Sequence, residues 1–384
     1  MKLRFNFRLV FLLVMLIVLA IREVALELRP AFLRPGLHLF AYVGNSGDGT
    51  ISVVDLIKLS PVATIVVGAG PSGLRAHPKR PEIWGVSSAG GLAWVLDVQS
   101  NQIVARIPVG TLPYALDFSP DGRRAYVAAS GSNTVVAIDI ASRQIVARGR
   151  AGRRPWIARV SPDGKTLVVS NRDDATISLL DSGTLAPIAT IATAPDPEQI
   201  AILPDNSKAF ITSSLHNQVS VVDLKRKVLL ANLALGGTAD ALDLKPDGGE
   251  LYITSSSAHG LLIVNTDTNE VAEFLLLGMS PTSAVFAPTT NTLYVSDTAA
   301  GHVVPVAVDT RQVGRPIQAG QSPVTCALTP GGDILLVVDT ASNDLAAIRT
   351  RTLASGQPGL TPPRPPTALI AVGSHPHDLA IKVF

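Results

Sequence analysis

The side chains able to bind or transform a ligand recur 42 residues apart along this chain, and the informative ones change type from copy to copy. One such column reads Ser72, Tyr114, Trp156, Glu198, Asp240, Thr282, Val324 and, near the end, His377. Two aromatics beside two acids, with Arg153 and Arg154 just ahead of Trp156, can stack a ring and hydrogen-bond its polar groups. Glu198 or Asp240 as general base, with Arg154 or Arg159 stabilising developing negative charge, would suit lactone or ester hydrolysis. The same column also reads as an ordinary polar rim carrying two exposed aromatics.

Three residues further along, the column reads Arg75, Asp117, Arg159, Ala201, Asp243, Val285, Ala327 and Ala380. Its first three members alternate in sign, as expected of an ion-pair ladder in which each charge offsets the desolvation of its neighbour. The spare guanidinium charge would instead suit an anion. Asp243 has no matching arginine in this column. A third set, His216, His259 and His302, falls on successive copies. Zinc needs ligands about 2 Å away, so these three bind a metal only if loops on separate units send their side chains inward. No metal and no other cofactor is expected. His375 and His377 flank Pro376; His38 and His77 read as ordinary polar residues near strand ends.

The absent motifs narrow the chemistry. There is no Gly-x-Ser-x-Gly elbow, Walker A loop or dinucleotide-binding glycine fingerprint in a suitable setting. The single cysteine, Cys326, allows neither an internal disulfide nor a Cys-x-x-Cys-His attachment for covalent haem, and it reads as a small buried hydrophobe.

The period itself decides what must position these residues. Prolines fall at 78, 120, 162, 204, 246, 288 and 330. An acid closes a strand at Asp55, Asp97, Asp139, Asp181 and Asp223, continues as Asn265 and drifts to Asp309. An aromatic or aliphatic residue recurs as Tyr42, Trp84, Tyr126, Val168, Phe210, Tyr252, Tyr294 and Leu336. Each unit holds four short runs rich in Val, Ile and aromatics between turn residues, the pattern of four antiparallel strands. A fixed period of this length predicts an all-β, single-domain β-propeller. Residues 42–68 supply a second, third and fourth strand but no first; the missing one matches the run from Pro376 to Ile381. The termini should therefore complete one blade together, closing the ring and removing an open strand edge. Eight blades are predicted, with seven as the alternative, because the last unit is irregular and carries a Pro-rich insert at 357–366, expected as a surface loop.

Within the repeats, Pro-Asp-Gly at 120–122, 162–164 and 246–248 should form the turn between first and second strands. The strand-ending Asp should accept backbone N–H groups of the turn that follows it. The runs Tyr42-Val43-Gly44-Asn45, Tyr252-Ile253-Thr254-Ser255 and Tyr294-Val295-Ser296-Asp297, with the Ser/Lys-Pro-Asp-Gly turns, resemble the YVTN-type β-propeller repeat. The resemblance covers nearly everything from Phe40 to Phe384. It implies a fold rather than one activity, because similar repeats occur in surface proteins, lactonase-like enzymes and quinoprotein-like subunits.

Forty-seven per cent of residues are apolar and five per cent aromatic, with 31 Gly and 28 Pro, a mixture suited to many short strands and not to long helices. The formal charge is +2, and Lys2, Arg4 and Arg8 all precede the first apolar run, so the folded part shows no nucleic-acid footprint. Those cations, followed by an apolar stretch from Leu9 to Ile21, read as a signal peptide or signal anchor over 1–21. A linker at 22–39 and the propeller at 40–384 would follow. The chain is thus expected to be exported, to the periplasm, the cell surface or the medium, touching a membrane only through an uncleaved N-terminus.

The first expectation for function is a rigid envelope scaffold presenting one face to a protein, glycan or small molecule. The alternatives are a lactonase-like hydrolase using Glu198, Asp240 and Arg159 at the mouth, or an accessory subunit of an electron-transfer complex whose cofactor sits on another chain. N-terminal sequencing of the exported protein should show a start near residue 21; a full-length cytosolic product would overturn the export reading.

Overall fold

The computed structural model describes residues 38–350 and 365–384. The proposed signal segment lies outside them, as does nearly all of the Pro-rich insert. Eight four-stranded antiparallel sheets form a propeller, which sets aside the seven-blade alternative. The first blade is built from Leu39–Asn45, Thr50–Asp55, Ser60–Val66 and the C-terminal strand Pro376–Val383. Tyr42 pairs with Ala380 and Leu39 with Val383, so the ring closes as the sequence predicts. His38 and Phe384 exchange backbone hydrogen bonds at 2.9 and 3.0 Å, and the rings of His38, Phe40 and Phe384 stack over the seam.

The eight second strands carry the core. Tyr42, Trp84, Tyr126, Val168, Phe210, Tyr252, Tyr294 and Leu336 are all buried between blades. Burying side chains of this size contributes about 1.5–3 kcal/mol each, and together they hold neighbouring sheets face to face. Volume is conserved locally: in the second blade a Cβ on Gly85 would lie 2.2 Å from the buried Trp94 ring, so glycine leaves room for the indole.

The repeated polar residues do the structural work expected of them. Asp139 Oδ1 accepts the N–H and hydroxyl of Ser142, both at 2.8 Å, and Asp97, Asp181, Asp223 and Asn265 cap their own turns in the same way. In the Pro-Asp-Gly turns Asp121 accepts from Ser119 and from Arg123 N–H, while Gly122 takes a φ of 71°. His77, read from sequence as an ordinary polar residue, replaces this device in the second blade. Its Nδ1 accepts the N–H groups of Lys79 and Arg80, which leaves Nε2–H to donate to Gly122 O of the next blade (2.9 Å). Burial lowers its pKa, favouring the neutral ring.

Charged side chains staple neighbouring blades on the opposite face. Arg311 reaches Glu250 and Glu273, Lys208 reaches Thr266 O and Asn269, and Arg143 reaches Glu82, which also accepts from Trp84 Nε1. Apart from Glu273, their partners lie about one and a half repeats away, so no single-unit pattern reveals them.

One repeated position is out of keeping with its neighbours. Asn45 and Asn171 end second strands and donate to Thr50 and Thr176 across the hairpin. In the last blade the same pair is Asp339 and Asp344, and both Asp339 oxygens and Asp344 Oδ1 are buried without a partner. Burial, with Asp344 alongside, pushes Asp339 up to about 8. A carboxyl whose folded pKa exceeds its unfolded value favours the fold at low pH, and that contribution is lost as pH rises from about 4 through 8. Asp339→Asn, which installs the amide that the first and fourth blades carry at Asn45 and Asn171, should therefore stabilise the propeller by about 2 kcal/mol at pH 8 and far less at pH 5. Denaturant melts of both proteins at the two pH values would show it; an equal or reversed difference would refute the account.

Candidate site at the channel mouth

The innermost strand of each blade lines the central channel, and its first residues form one rim. The sequence column that begins at Ser72 lies on this rim. Tyr114 and Trp156 stack there with ring centroids 3.9 Å apart and planes 20° from parallel. The cation at this pair is not Arg153 or Arg154, the two expected from sequence. Those two turn toward the neighbouring loop, where Arg153 meets Asp174 (2.5 Å) and Arg154 meets Asp173 (3.5 Å). Arg172 instead places its guanidinium carbon 4.7 Å from the Trp156 centroid. With Tyr114 against one face of the indole, Arg172 must cover the other, and Tyr114 keeps an outer face that is substantially exposed.

Arg172 is itself locked. Its Nε and Nη2 bind Asp196 at 2.6 and 2.8 Å, and Nη2 also reaches Glu198 Oε1 at 2.9 Å. Ser214 Oγ donates to Glu198 Oε2 at 2.9 Å. The hydrogen bond to Asp196 raises the Arg172 pKa and holds Asp196 below the usual carboxylate range. Asp196–Arg172–Glu198 is thus a half-buried bidentate network, the strong kind of ion pairing, and it fixes the orientation of the aromatic shelf.

Sequence reasoning missed Arg172, although the rule that functional positions break the repeat would have found it. Its column reads Ser46, Ser88, Ser130, Arg172, Ser214, Ser256, Thr298 and Thr340. Ser130, Ser214, Thr298 and Thr340 use their hydroxyls to hold a carbonyl at the start of the next blade's inner strand. The fourth blade gives up that bond and installs the cation.

The other expected residues fall as follows. Glu198 is engaged at both oxygens, by Arg172 and by Ser214, so the structure places it in the network that holds the shelf. Asp240 accepts from Thr238 Oγ1 (2.8 Å) and Ser256 N–H (2.5 Å). His377 is half-buried, and its Nδ1 is shut off from solvent without a partner. Deeper in the channel, no ion pair within 4 Å joins Asp117 to Arg75 or Arg159 among the described residues. Asp117 Oδ2 instead accepts Val160 N–H (3.1 Å) from the next blade. The expected ladder is therefore not formed by direct contact. Asp243 likewise accepts Phe286 N–H at 2.6 Å, and burial raises it to about 6. Cys326 is buried and pushed up to about 12, the inert hydrophobe expected. His216, His259 and His302 do not converge: among the described residues no three His, Cys, Asp or Glu side chains come together as a metal site. His259 Nδ1 lies 2.5 Å from Met279 O instead.

The chain is an eight-bladed β-propeller with an aromatic–arginine shelf on one rim, and the comparisons agree on the fold. The family described as the cytochrome D1 heme domain matches residues 86–240, a stretch that holds Tyr114, Trp156, Arg172 and Glu198. No curated protein sequence matches the chain. Among solved structures it is similar to the dihydro-heme d1 dehydrogenase NirN in complex with DHE, at 15% identity and a TM-score of 0.70, over 88% of this chain and 74% of that one. It is also similar to hydrazine synthase of Kuenenia stuttgartiensis, at 19% identity and a TM-score of 0.60, over 73% of this chain and 96% of that one.

Trp84 and Trp94 are fully buried, so Trp156 is the one tryptophan that solvent reaches. Arg172→Ser, the residue type of the other blades, should cost about 1–2 kcal/mol and roughly double acrylamide quenching of tryptophan fluorescence. Unchanged quenching would mean that the guanidinium does not shield the indole.

Proposed function

We propose that this chain is an exported accessory β-propeller of an electron-transfer system, docking through its channel mouth onto a partner that carries haem. The match to the cytochrome D1 heme domain family over the blades that build the shelf is the observation that favours this over a generic scaffold. The likeness to a haem d1 dehydrogenase supports the same direction.

At the rim shelf the residues fit a haem poorly, which is why the redox group is assigned to the partner. An axial histidine is normally oriented by a hydrogen bond from its second ring nitrogen. His377 is the one histidine of the rim column, and its buried Nδ1 has no such partner. Both faces of Trp156 are already covered, by Tyr114 and Arg172. The shelf suits protein docking better: a rigid aromatic and arginine group, held before binding, is the composition of interface hot spots. Exposed Leu215 lies beside it on the loop that carries Ser214.

The hydrolase alternative finds less support, since Glu198 is tied to Arg172 and Ser214 and Asp240 to Thr238 and Ser256.

Purification of the native protein from its source membranes or periplasm should bring down a Soret-absorbing partner, lost in Tyr114→Ala and at least about tenfold weaker in Arg172→Ser. Titration of the isolated propeller with haemin should give no stoichiometric Soret shift. A saturable shift abolished by His377→Ala would overturn the assignment of the haem to the partner. Absence of any haem-bearing partner would overturn the proposal as a whole.

A further inference from the structure

The inner strands of a propeller are edge strands, and their unpaired N–H groups face the channel. Three channel acids satisfy such groups across a blade boundary. Asp117 accepts from Val160 N–H, Asp243 from Phe286 N–H, and Asp378 from Leu74 N–H at 2.8 Å and its own neighbour Leu379 at 2.8 Å. These acids are therefore architectural. The arginines that share the channel with them are not. Arg75 and Arg159 sit at equivalent positions two blades apart, and neither forms a hydrogen bond or an ion pair with any described residue. Solvent reaches both from the channel. Burial and the Arg75 cation lower Arg159 to about 10, against the pull of Asp117 and Asp378.

Two unpaired guanidiniums on inner strands two blades apart, with the channel carboxylates engaged by backbone amides, are an arrangement a fold gains nothing from by itself. We propose that Arg75 and Arg159 form an oxyanion site inside the channel, for a small ligand carrying at least two negative charges, one toward each guanidinium. A guanidinium presents paired N–H donors in the plane that a carboxylate or phosphate accepts bidentately. Asp117, on the blade between the two arginines, and Asp378 would repel a bulky polyanion, which limits the ligand to one that spans the two cations. This site is separate from the rim shelf and does not depend on the docking proposal.

The test is calorimetric titration of the exported protein with malonate and, in parallel, inorganic phosphate, at constant ionic strength with chloride as the reference. One or both should bind saturably with one-to-one stoichiometry, and the tighter of the two identifies the kind of oxyanion. Arg75→Gln and Arg159→Gln should each weaken binding about tenfold or more. Without anion, the melting temperature of Arg159→Gln should match or exceed that of the wild type, because a repelling charge has been removed. Arg75→Gln, at the more exposed position, provides the same reading if Arg159→Gln folds poorly. No saturable binding, or wild-type affinity in either variant, would overturn the proposal. So would a loss of anion-free stability in both variants, since that would make the arginines structural.

Discussion

One hydrogen-bonded seam carries the whole ring: the antiparallel pairing of Leu39–Asn45 with Pro376–Val383. Without it the first blade has no inner strand and the circle ends in two open edges, which a β-structure does not tolerate well. Closure also brings Asp378 beside Leu74, more than three hundred residues away in sequence, and His377 onto the rim. Both the channel lining and the mouth thus depend on a contact between the two ends of the domain.

Around that seam, the repeat solves the same problem many times with small means. A large residue on each second strand fills the gap between blades, an acid caps the outer turn in the first five blades, and a hydroxyl ties most blades to the next inner strand. Such terms add along a ring of near-identical units, so losing one bond in one blade is tolerated. That tolerance is what allowed the fourth blade to exchange a serine-type tether for Arg172. The bond it gave up is small beside the network of Asp196, Glu198 and Trp156 that replaced it.

Charge in the channel follows a different logic. An edge strand facing a narrow bore needs acceptors for its free N–H groups, and carboxylates from the preceding blade meet that need. Aspartates that look like partners for arginines are drawn to backbone instead. Counting opposite charges in a column overestimates ion pairing wherever backbone donors compete for the same oxygens, as Val160 does for Asp117.

The repeat, the blade count and the closing strand were legible in the sequence because each rests on local chemistry recurring at a fixed spacing. Prolines, turn acids and alternating apolar residues act within one sheet, so their period survives in one dimension. The rim column was legible for the same reason, and Tyr114 and Trp156 stand where it put them. The break in the Ser/Thr column marks Arg172 as a candidate, but only the tertiary structure showed that it, and not Arg153 or Arg154, meets the aromatics. The tertiary structure alone showed that His77 substitutes for a turn acid and that Asp339 faces Asp344 without a donor. Those outcomes depend on how individual loop and strand-end side chains turn within and between blades. That orientation is fixed by packing within and between sheets, and no repeat period records it.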